Sequence, residues 1–294
     1  MTWISLIVAH VIFSAFMPIA LRKYSLLYPK VHYMPVLCIY ICVATVGVVV
    51  SISHSLSTGV SLPSLKDYSS LWPLIGVGIL IPLSWAIQFR LVRYIGASNT
   101  AVALMANYLA ASVFAVVLLK ESISAIFIAG SLLLLCGVVV SSFVRPDTKH
   151  KQKVSKLKII SLILLMSLSF GFGIMCEKIA IDDASVWAYI MFGWTAQLVG
   201  AFIIIGTAGR KEIVKIKWSQ FWHGLLIGLL GALEGLTFVA ALSIGQLSNT
   251  VMAVSAKVTL VALLAAFLLK ERNQIPLRML AIGLAIIGLW MIAK

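Results

Sequence analysis

Long apolar stretches separated by short polar links make up almost the whole chain. Ten of these stretches reach about 20 residues, the length that an α-helix needs to cross the hydrocarbon core of a bilayer. Links such as Lys120-Glu121-Ser122 leave little chain for a domain outside the membrane, and sheets with open edges do not span hydrocarbon. The pattern predicts an all-α integral membrane protein with ten transmembrane helices. The predicted spans are 2–21, 33–53, 71–91, 98–119, 123–144, 159–178, 185–206, 219–241, 247–269 and 274–293.

The composition agrees with this pattern. Of the 294 residues, 62% are hydrophobic and 11% are charged, and the mean hydropathy is +1.09. A soluble domain carries about 25% charged residues, so this chain has too little polar surface for a soluble enzyme. The sequence contains no nucleophile-elbow, zinc-protease or Walker motif. The sequence therefore predicts a membrane protein that is not an enzyme and that needs no cofactor or metal.

The basic residues lie on one set of connections. Of the 23 Lys and Arg residues, eighteen lie at or near the connections that follow the odd-numbered spans, and four lie at the termini or on the even-numbered connections. Cytoplasmic loops of membrane proteins are enriched in Lys and Arg, so we expect the odd connections in the cytoplasm and both termini outside an inner (plasma) membrane. The linker at 145–158 is too short for a folded basic domain, which argues against nucleic acid as a partner.

Two motifs occur twice at an offset of 150 residues. Ser98-Asn99-Thr100 recurs as Ser248-Asn249-Thr250, and Leu118-Leu119-Lys120-Glu121 recurs as Leu268-Leu269-Lys270-Glu271. Each half contains five predicted spans, an odd number, so the second half enters the membrane with the opposite orientation. The sequence therefore predicts two inverted five-helix repeats, at 1–144 and 159–294, joined by the basic linker at 145–158. Inverted repeats are typical of alternating-access carriers with a site near the membrane midplane.

The repeated motifs, together with Gly137, Gly288 and the segment Phe238-Val239-Ala240-Ala241-Leu242, resemble the EamA family of the drug/metabolite transporter superfamily. The resemblance covers nearly the whole chain. It implies a secondary transporter, usually an exporter of amino acids, small metabolites or toxic organic compounds, with a central cavity that opens alternately to the two sides. Members of the family commonly keep both termini in the cytoplasm, whereas the charge distribution of this chain favours termini outside.

Two charged residues lie deep within apolar spans. Lys257 lies at the middle of span 9, and Glu234 lies in span 8, about 6 Å from the middle along the helix axis. Because charges inside a membrane are costly, such residues usually pair or face a cavity. One interpretation is a structural ion pair. In the other, Lys257 binds an anionic group of the substrate, and Glu234 binds a cationic group or a coupling proton, so a zwitterion would satisfy both residues.

Further candidates are polar or aromatic residues inside the spans. His10 could relay a proton because imidazole titrates near neutrality. Glu177, beside Lys178 near the end of span 6, is expected to face water. Four small-residue positions on span 8 are expected to pack closely against a neighbouring helix. The remaining candidates for substrate binding are Ser14, Trp85, Gln88, Asn107 and Tyr108.

Three functions remain open at this point. The first is export of a small zwitterion such as an amino acid, driven by a proton gradient because no ATP site is present. The second is export of aromatic or cationic drugs, for which Trp85 and Tyr108 would be the essential residues. The third is a non-transporting subunit that docks a partner protein through Lys149, Lys151 and Lys153. Under the first two, the lipid bilayer and a small molecule are the partners, and a monomer or weak dimer is sufficient.

Overall fold

The computed structural model describes residues 2–31, 33–122, 124–142, 154–208, 217–268 and 275–292. All regular structure within these ranges is helical. Several features named above lie outside the described residues: most of the basic linker with Lys149, Lys151 and Lys153, the repeated Lys270-Glu271 pair, and the C-terminal Lys294.

Ten helical segments follow one another through the described residues. The first five are α1 (Trp3–Leu27), α2 (Met34–Thr58), α3 (Trp72–Ala97), α4 (Asn99–Leu118) and α5 (Ala125–Ser142). The next three are α6 (Lys156–Asp183), α7 (Val186–Ala208, with a π-helical turn at Tyr189–Gly193) and α8 (Trp218–Ile244). The last two are α9, in two pieces (Leu247–Val254 and Lys257–Leu268), and α10 (Ile275–Ile292).

The helices agree with the predicted spans to within a few residues at most ends. Seven of them are long and apolar enough to cross a membrane: α1, α2, α3, α4, α6, α7 and α8. The other three predicted spans coincide with α5, the two pieces of α9, and α10. The largest differences are at the C-terminal ends of four helices. These helices, α1, α2, α3 and α6, continue to Leu27, Thr58, Ala97 and Asp183 rather than stopping at 21, 53, 91 and 178. The described part of the chain is therefore all helical, and seven of its helices could cross a membrane.

Local capping residues fix several helix ends. The side chains of Thr2, Ser155 and Ser185 accept hydrogen bonds from backbone N–H groups in the first turns of α1, α6 and α7. Such bonds satisfy donors that have no partner within the helix. At the other end of α2, Gly59 adopts φ of +70°, a conformation that glycine tolerates best. Gly96, with φ of +84°, kinks the chain at the end of α3, and α4 follows without a loop.

Helices from the two halves of the chain pack against each other throughout the bundle. The pair α5 and α10 lies in extensive contact, α3 packs on α6 and α7, and α8 packs on α1 and α2. In addition, α4 contacts α6, and α9 contacts α1 and α4. Neither half therefore forms a separate core.

Glycines allow two of these helix pairs to approach closely. A Cβ atom on Gly228 of α8 would lie 2.5 Å from the Cys38 carbonyl oxygen of α2. A Cβ on Gly200 of α7 would lie 1.6 Å from the Gly78 carbonyl oxygen of α3. Pro82 has no N–H to bind the Gly78 carbonyl four residues back, so this oxygen is available to meet the neighbouring backbone. The structure thus confirms that the small residues of α8 serve packing.

Contacts near the helix ends divide the connections between two faces of the bundle. On one face, the Trp3 indole donates to the Thr250 hydroxyl at 3.3 Å. On the same face, the Ser69 hydroxyl donates to the Asp183 carboxylate at 2.6 Å. On the opposite face, the Arg22 guanidinium donates to the Val92 carbonyl at 3.3 Å. The even-numbered connections meet on the first face, and the odd-numbered connection after α1 meets the end of α3 on the second.

The two motifs that the sequence repeats contact each other across the halves. Lys120, with φ of +56°, turns the chain after α4 and places Glu121 over the start of α9. The Glu121 carboxylate accepts bonds from the backbone N–H groups of Leu247 at 2.8 Å and Ser248 at 3.0 Å, and from the Ser248 hydroxyl at 2.5 Å. A negative group at a helix N-terminus accepts hydrogen bonds from N–H groups that have no partner within the helix. It is also attracted by the positive end of the helix dipole. The Leu-Lys-Glu motif of the first half therefore caps the Ser-Asn-Thr helix of the second.

We predict that Glu121→Gln lowers the stability of the protein. The amide retains one acceptor oxygen and cannot receive all three bonds, so about 1–3 kcal/mol is lost. Thermal unfolding in detergent should show a melting temperature lower by several degrees. Asp182→Asn is the matched control, because the only partner of that exposed carboxylate among the described residues is Lys178, one helical turn away. Equal melting temperatures for Glu121→Gln and the control would contradict the capping role.

We also predict that Gly200→Ala separates α3 from α7. The added methyl group would overlap the Gly78 carbonyl, so the helices must move apart and lose packing. The control is Gly206→Ala in the same helix, where nothing lies within 4 Å of the added atom. Thermal unfolding should show a lower melting temperature for the first variant and an unchanged or higher one for the second. The same result for both would contradict this close approach.

Candidate functional site

A cavity in the middle of the bundle is lined by residues from eight helices, α1 to α4 and α6 to α9. Together with its open mouth it contains about 810 Å³ of space not occupied by protein atoms. Its walls include every residue that the sequence predicted for substrate binding or proton transfer. These are His10, Ser14, Trp85, Gln88, Asn107, Tyr108, Glu234 and Lys257.

Lys257 and Glu234 form an ion pair at this cavity. The Lys257 Nζ atom lies 3.3 Å from Glu234 Oε1, and both side chains are less than 10% exposed. The ammonium also lies 5.6 Å from the centre of the Tyr108 ring, a distance typical of a cation–π contact. The second carboxylate oxygen of Glu234, Oε2, is buried and has no hydrogen-bond partner among the described residues. The contact expected from the sequence is therefore present, and it leaves one acceptor unsatisfied.

Lys257 follows a tightened turn in α9. The backbone at Ser255 remains helical, with φ of −63° and ψ of −18°, but its bonds join residues three apart, from Ser255 N–H to Met252 O at 3.1 Å and from Val258 N–H to Ser255 O at 3.1 Å. Lys257 is the first residue of the second piece. A similar turn occurs in α4 at Leu104, 150 residues before Val254. A stretch of 3₁₀ geometry inside a helix often marks a hinge.

His10 is joined to the same region through the backbone. Its Nδ1 atom lies 3.0 Å from the Glu234 carbonyl oxygen, which can only accept, so Nδ1 carries the proton. The ring also packs against Phe238 with ring centres 5.3 Å apart. His10 therefore holds α1 to α8 beside Glu234 without touching its carboxylate in the described contacts.

The other predicted residues line the wall from α1, α3 and α4. The side-chain oxygen of Asn107, Oδ1, accepts a hydrogen bond from the Ser167 hydroxyl of α6 at 3.1 Å. The Ser14 hydroxyl donates to the Val11 carbonyl at 3.3 Å in its own helix. Gln88 is buried and Trp85 is partly buried. These groups give one side of the cavity a mixed polar and aromatic surface.

The expectation from the sequence that Glu177 faces water is wrong. Glu177 is only 4% exposed and lines the cavity instead of facing water. The reason is that α6 extends to Asp183, so Glu177 lies more than a turn inside the helix end. The sequence did carry one useful signal. Lys178 pairs with Asp182 at a spacing of four residues, which turns Glu177 to a different face of the helix.

Tyr189 and Gln197 of α7 are buried and bonded to each other where the π-turn contacts α6. The Gln197 amide donates to the Tyr189 hydroxyl at 3.0 Å. Tyr189 begins the π-helical turn, and its ring occupies space that a Cβ on Gly193 would fill, 2.3 Å from a ring carbon. Single π-turns inside helices often occur at functional sites. Neither the π-turn nor the role of Gly193 has a periodic signature in the sequence.

A sequence model of the EamA-like transporter family matches residues 1–143 and again residues 157–294. One solved structure, described only as "Crystal structure of protein", is similar with a TM-score of 0.67 at 14% identity. The similarity covers 98% of this chain and 95% of that one. At this identity the solved structure supports the fold alone. No curated protein matches the sequence. Because the two family matches cover almost the whole chain, this multi-pass membrane protein belongs to the EamA-like transporter family, a branch of the drug/metabolite transporter superfamily whose members are transporters and not enzymes.

Proposed function

We propose that the protein is a proton-coupled secondary transporter that exports a small zwitterion, such as an amino acid, through the central cavity. The observation that carries this proposal is the Lys257–Glu234 pair beside the tightened turn of α9, inside a cavity of a protein of this family. The ammonium of Lys257 would bind the anionic group of the substrate. Glu234 would supply the coupling proton or bind a cationic group.

The unsatisfied oxygen of Glu234 favours a Lys257–Glu234 pair that takes part in transport over one that only stabilises the fold. A buried ion pair stabilises a fold only when its remaining hydrogen-bonding groups are satisfied. Here Oε2 has no partner among the described residues, while Oε1 contacts Lys257. A proton, or a hydrogen-bond donor of the substrate, would give this oxygen a partner. His10, bound to the backbone carbonyl of Glu234, is the nearby group for passing on a proton.

The contacts between helices support two inverted repeats, residues 1–144 and 159–294, that rock against each other. In a bundle of inverted repeats, a contact between two helices has a counterpart between the equivalent helices of the other half, and several main contacts follow this rule. The contacts of α1 and α2 with α8 correspond to those of α6 and α7 with α3, and the contact of α4 with α6 corresponds to that of α9 with α1. The pair α5 and α10 corresponds to itself. The tightened turns in α4 and α9 at equivalent positions would act as hinges around the cavity.

The division of the helix ends between two faces supports the proposed orientation in an inner membrane. The face with the odd-numbered connections would be cytoplasmic, because eighteen of the 23 Lys and Arg residues lie there. Both termini would then lie outside the cytoplasm. A single copy contains both halves, so a monomer is sufficient for transport.

A second candidate function is supported by the aromatic part of the wall. Phe170, Trp194 and Phe238 line the cavity together with Trp85 and Tyr108. Ring faces of this kind bind aromatic compounds and organic cations. Export of such compounds is thus the alternative, and it requires the rings more than Lys257. Docking of a partner through Lys149, Lys151 and Lys153 gains no support, because those residues lie outside the described ranges.

We predict that Lys257→Met and Glu234→Gln abolish transport of the amino acid that the wild-type protein accepts. The first removes the cation for the substrate carboxylate, and the second removes the group that takes up the proton. In liposomes with a panel of L-amino acids, each variant should lose at least roughly tenfold in rate, the effect of about 1.4 kcal/mol. Wild-type transport should also change the internal pH, and Glu234→Gln should not.

The controls for these variants are Lys66→Met and Asp182→Asn, which change the same residue types at exposed positions. Melting temperatures in detergent should show that all four variants are folded. Undiminished transport by both Lys257→Met and Glu234→Gln would make the pair structural. Loss of transport in Trp85→Ala and Tyr108→Ala, with Lys257→Met active, would favour the drug-export alternative.

We further predict that a reporter fused after Lys294 lies outside the cytoplasm. A fused alkaline phosphatase, which is active only outside, should be active, and a fused green fluorescent protein should be dark. Removing basic residues from the odd connections should weaken this preference, because those residues set the orientation. Fluorescence of the C-terminal fusion in wild-type protein would reverse the proposed topology.

A further inference from the structure

The charges around the cavity are not balanced. Among the described residues of its wall, the charged groups are the Lys257 ammonium and the carboxylates of Glu234 and Glu177. Lys257 is paired with Glu234 at 3.3 Å. No described Lys or Arg forms an ion pair with Glu177, although its side chain is buried. A carboxylate in such a place is costly, and membrane proteins usually retain one for a function.

The surroundings of Glu177 are polar and closely packed. Gln197 of α7 lines the same cavity and donates to the Tyr189 hydroxyl at 3.0 Å, and Gly193 leaves room for the tyrosine ring. All three polar side chains, those of Glu177, Tyr189 and Gln197, are buried. The Glu177 carboxylate lines the same cavity as Lys257 but belongs to α6.

A second polar group of the cavity wall lacks a partner. The Tyr40 hydroxyl of α2 is buried, lines the cavity and forms no hydrogen bond with the described residues. Glu177 and Glu234 line the same cavity as this hydroxyl. A tyrosine hydroxyl can accept a hydrogen bond from a ligand ammonium. Tyr40 is thus an acceptor available to a cation in the cavity.

From this arrangement we propose that Glu177 and Tyr40 form the subsite for the ammonium group of the transported zwitterion. Lys257 binds the carboxylate of the same molecule, and Glu234 remains the partner of Lys257. The inference rests on the proposed function and deepens it. It assigns to Glu177 the cationic group that Glu234 was otherwise a candidate to bind.

Electrostatic repulsion explains why the cation binds at Glu177 and not at Glu234. A substrate ammonium at Glu234 would lie within a few ångströms of the Lys257 ammonium, and like charges repel strongly in a medium of low dielectric constant. At Glu177 the incoming cation meets a carboxylate with no competing cation among its described neighbours. The substrate class that follows is a molecule with one ammonium and one carboxylate, and with an apolar side chain that fits the remaining wall.

Three related compounds distinguish binding of the ammonium group from binding of the carboxylate group. L-Leucine carries both charges, L-leucinamide carries only the ammonium, and N-acetyl-L-leucine carries only the carboxylate. Binding to the purified full-length protein is followed by tryptophan fluorescence, since Trp85 and Trp194 line the cavity, and by the shift in melting temperature. Propylammonium serves as a smaller cation with the same readouts.

Glu177→Gln should weaken binding of leucine and leucinamide at least roughly tenfold and leave N-acetyl-leucine unchanged. Lys257→Met should weaken leucine and N-acetyl-leucine and spare leucinamide. Glu177→Asp keeps the charge but shortens the side chain, so it should bind leucinamide with intermediate affinity. This variant decides the test if Glu177→Gln does not fold. Asp182→Asn, on the same helix but at the surface, is the control and should change none of the affinities.

The outcomes separate the subsite from the proposed function. If leucinamide and propylammonium bind with affinities that Glu177→Gln does not change, or do not bind to the wild-type protein at all, the subsite is wrong. Unimpaired leucine transport by Glu177→Gln would also overturn it while the transporter function stands. Cation binding that depends on Glu177, in a wild-type protein that transports none of the amino acids, would support the subsite and overturn zwitterion export.

Discussion

The structure depends on how a bundle of apolar helices accommodates three buried ionisable side chains, those of Glu177, Glu234 and Lys257. A buried ammonium or carboxylate is tolerated only with a partner, a hydrogen-bonding network or contact with a cavity. Lys257 and Glu234 meet the first condition with their 3.3 Å contact, and Glu177 meets the third by lining the cavity. All three line one cavity. The bundle therefore places its most costly groups together, at a position where a transported molecule would meet them.

The positions of these groups require departures from regular helices. The tightened turn after Val254 precedes Lys257, and the π-turn of α7 begins at Tyr189. Such irregular backbone is acceptable inside a membrane protein because neighbouring helices and the cavity shield it from lipid. Close glycine contacts between α2 and α8 and between α3 and α7 hold the surrounding helices in place. Glu121 caps the N-terminus of α9.

Much of this arrangement follows from sequence, and the exceptions have physical causes. The helix positions follow from the length of the apolar stretches, and the Lys257–Glu234 contact follows from the cost of lone charges in hydrocarbon. Glu177 was assigned to water because charged neighbours obscured the true end of α6. The π-turn depends on the shape of Tyr189 against Gly193, a three-dimensional fit that no periodicity records. The contact of Glu121 with Ser248 joins residues 127 positions apart, so the repeat revealed both motifs without showing that they meet.

The central claim is that this chain alone carries a zwitterion by exposing one cavity alternately to the two sides. Counterflow tests it most directly. Liposomes containing the wild-type protein are loaded with an unlabelled amino acid and diluted into a trace of the same compound in radiolabelled form. A carrier exchanges the two, so we expect the label to accumulate transiently above its equilibrium level for at least one amino acid of the panel. Equilibration without any such overshoot, or no entry of label for every amino acid tested, would contradict the account.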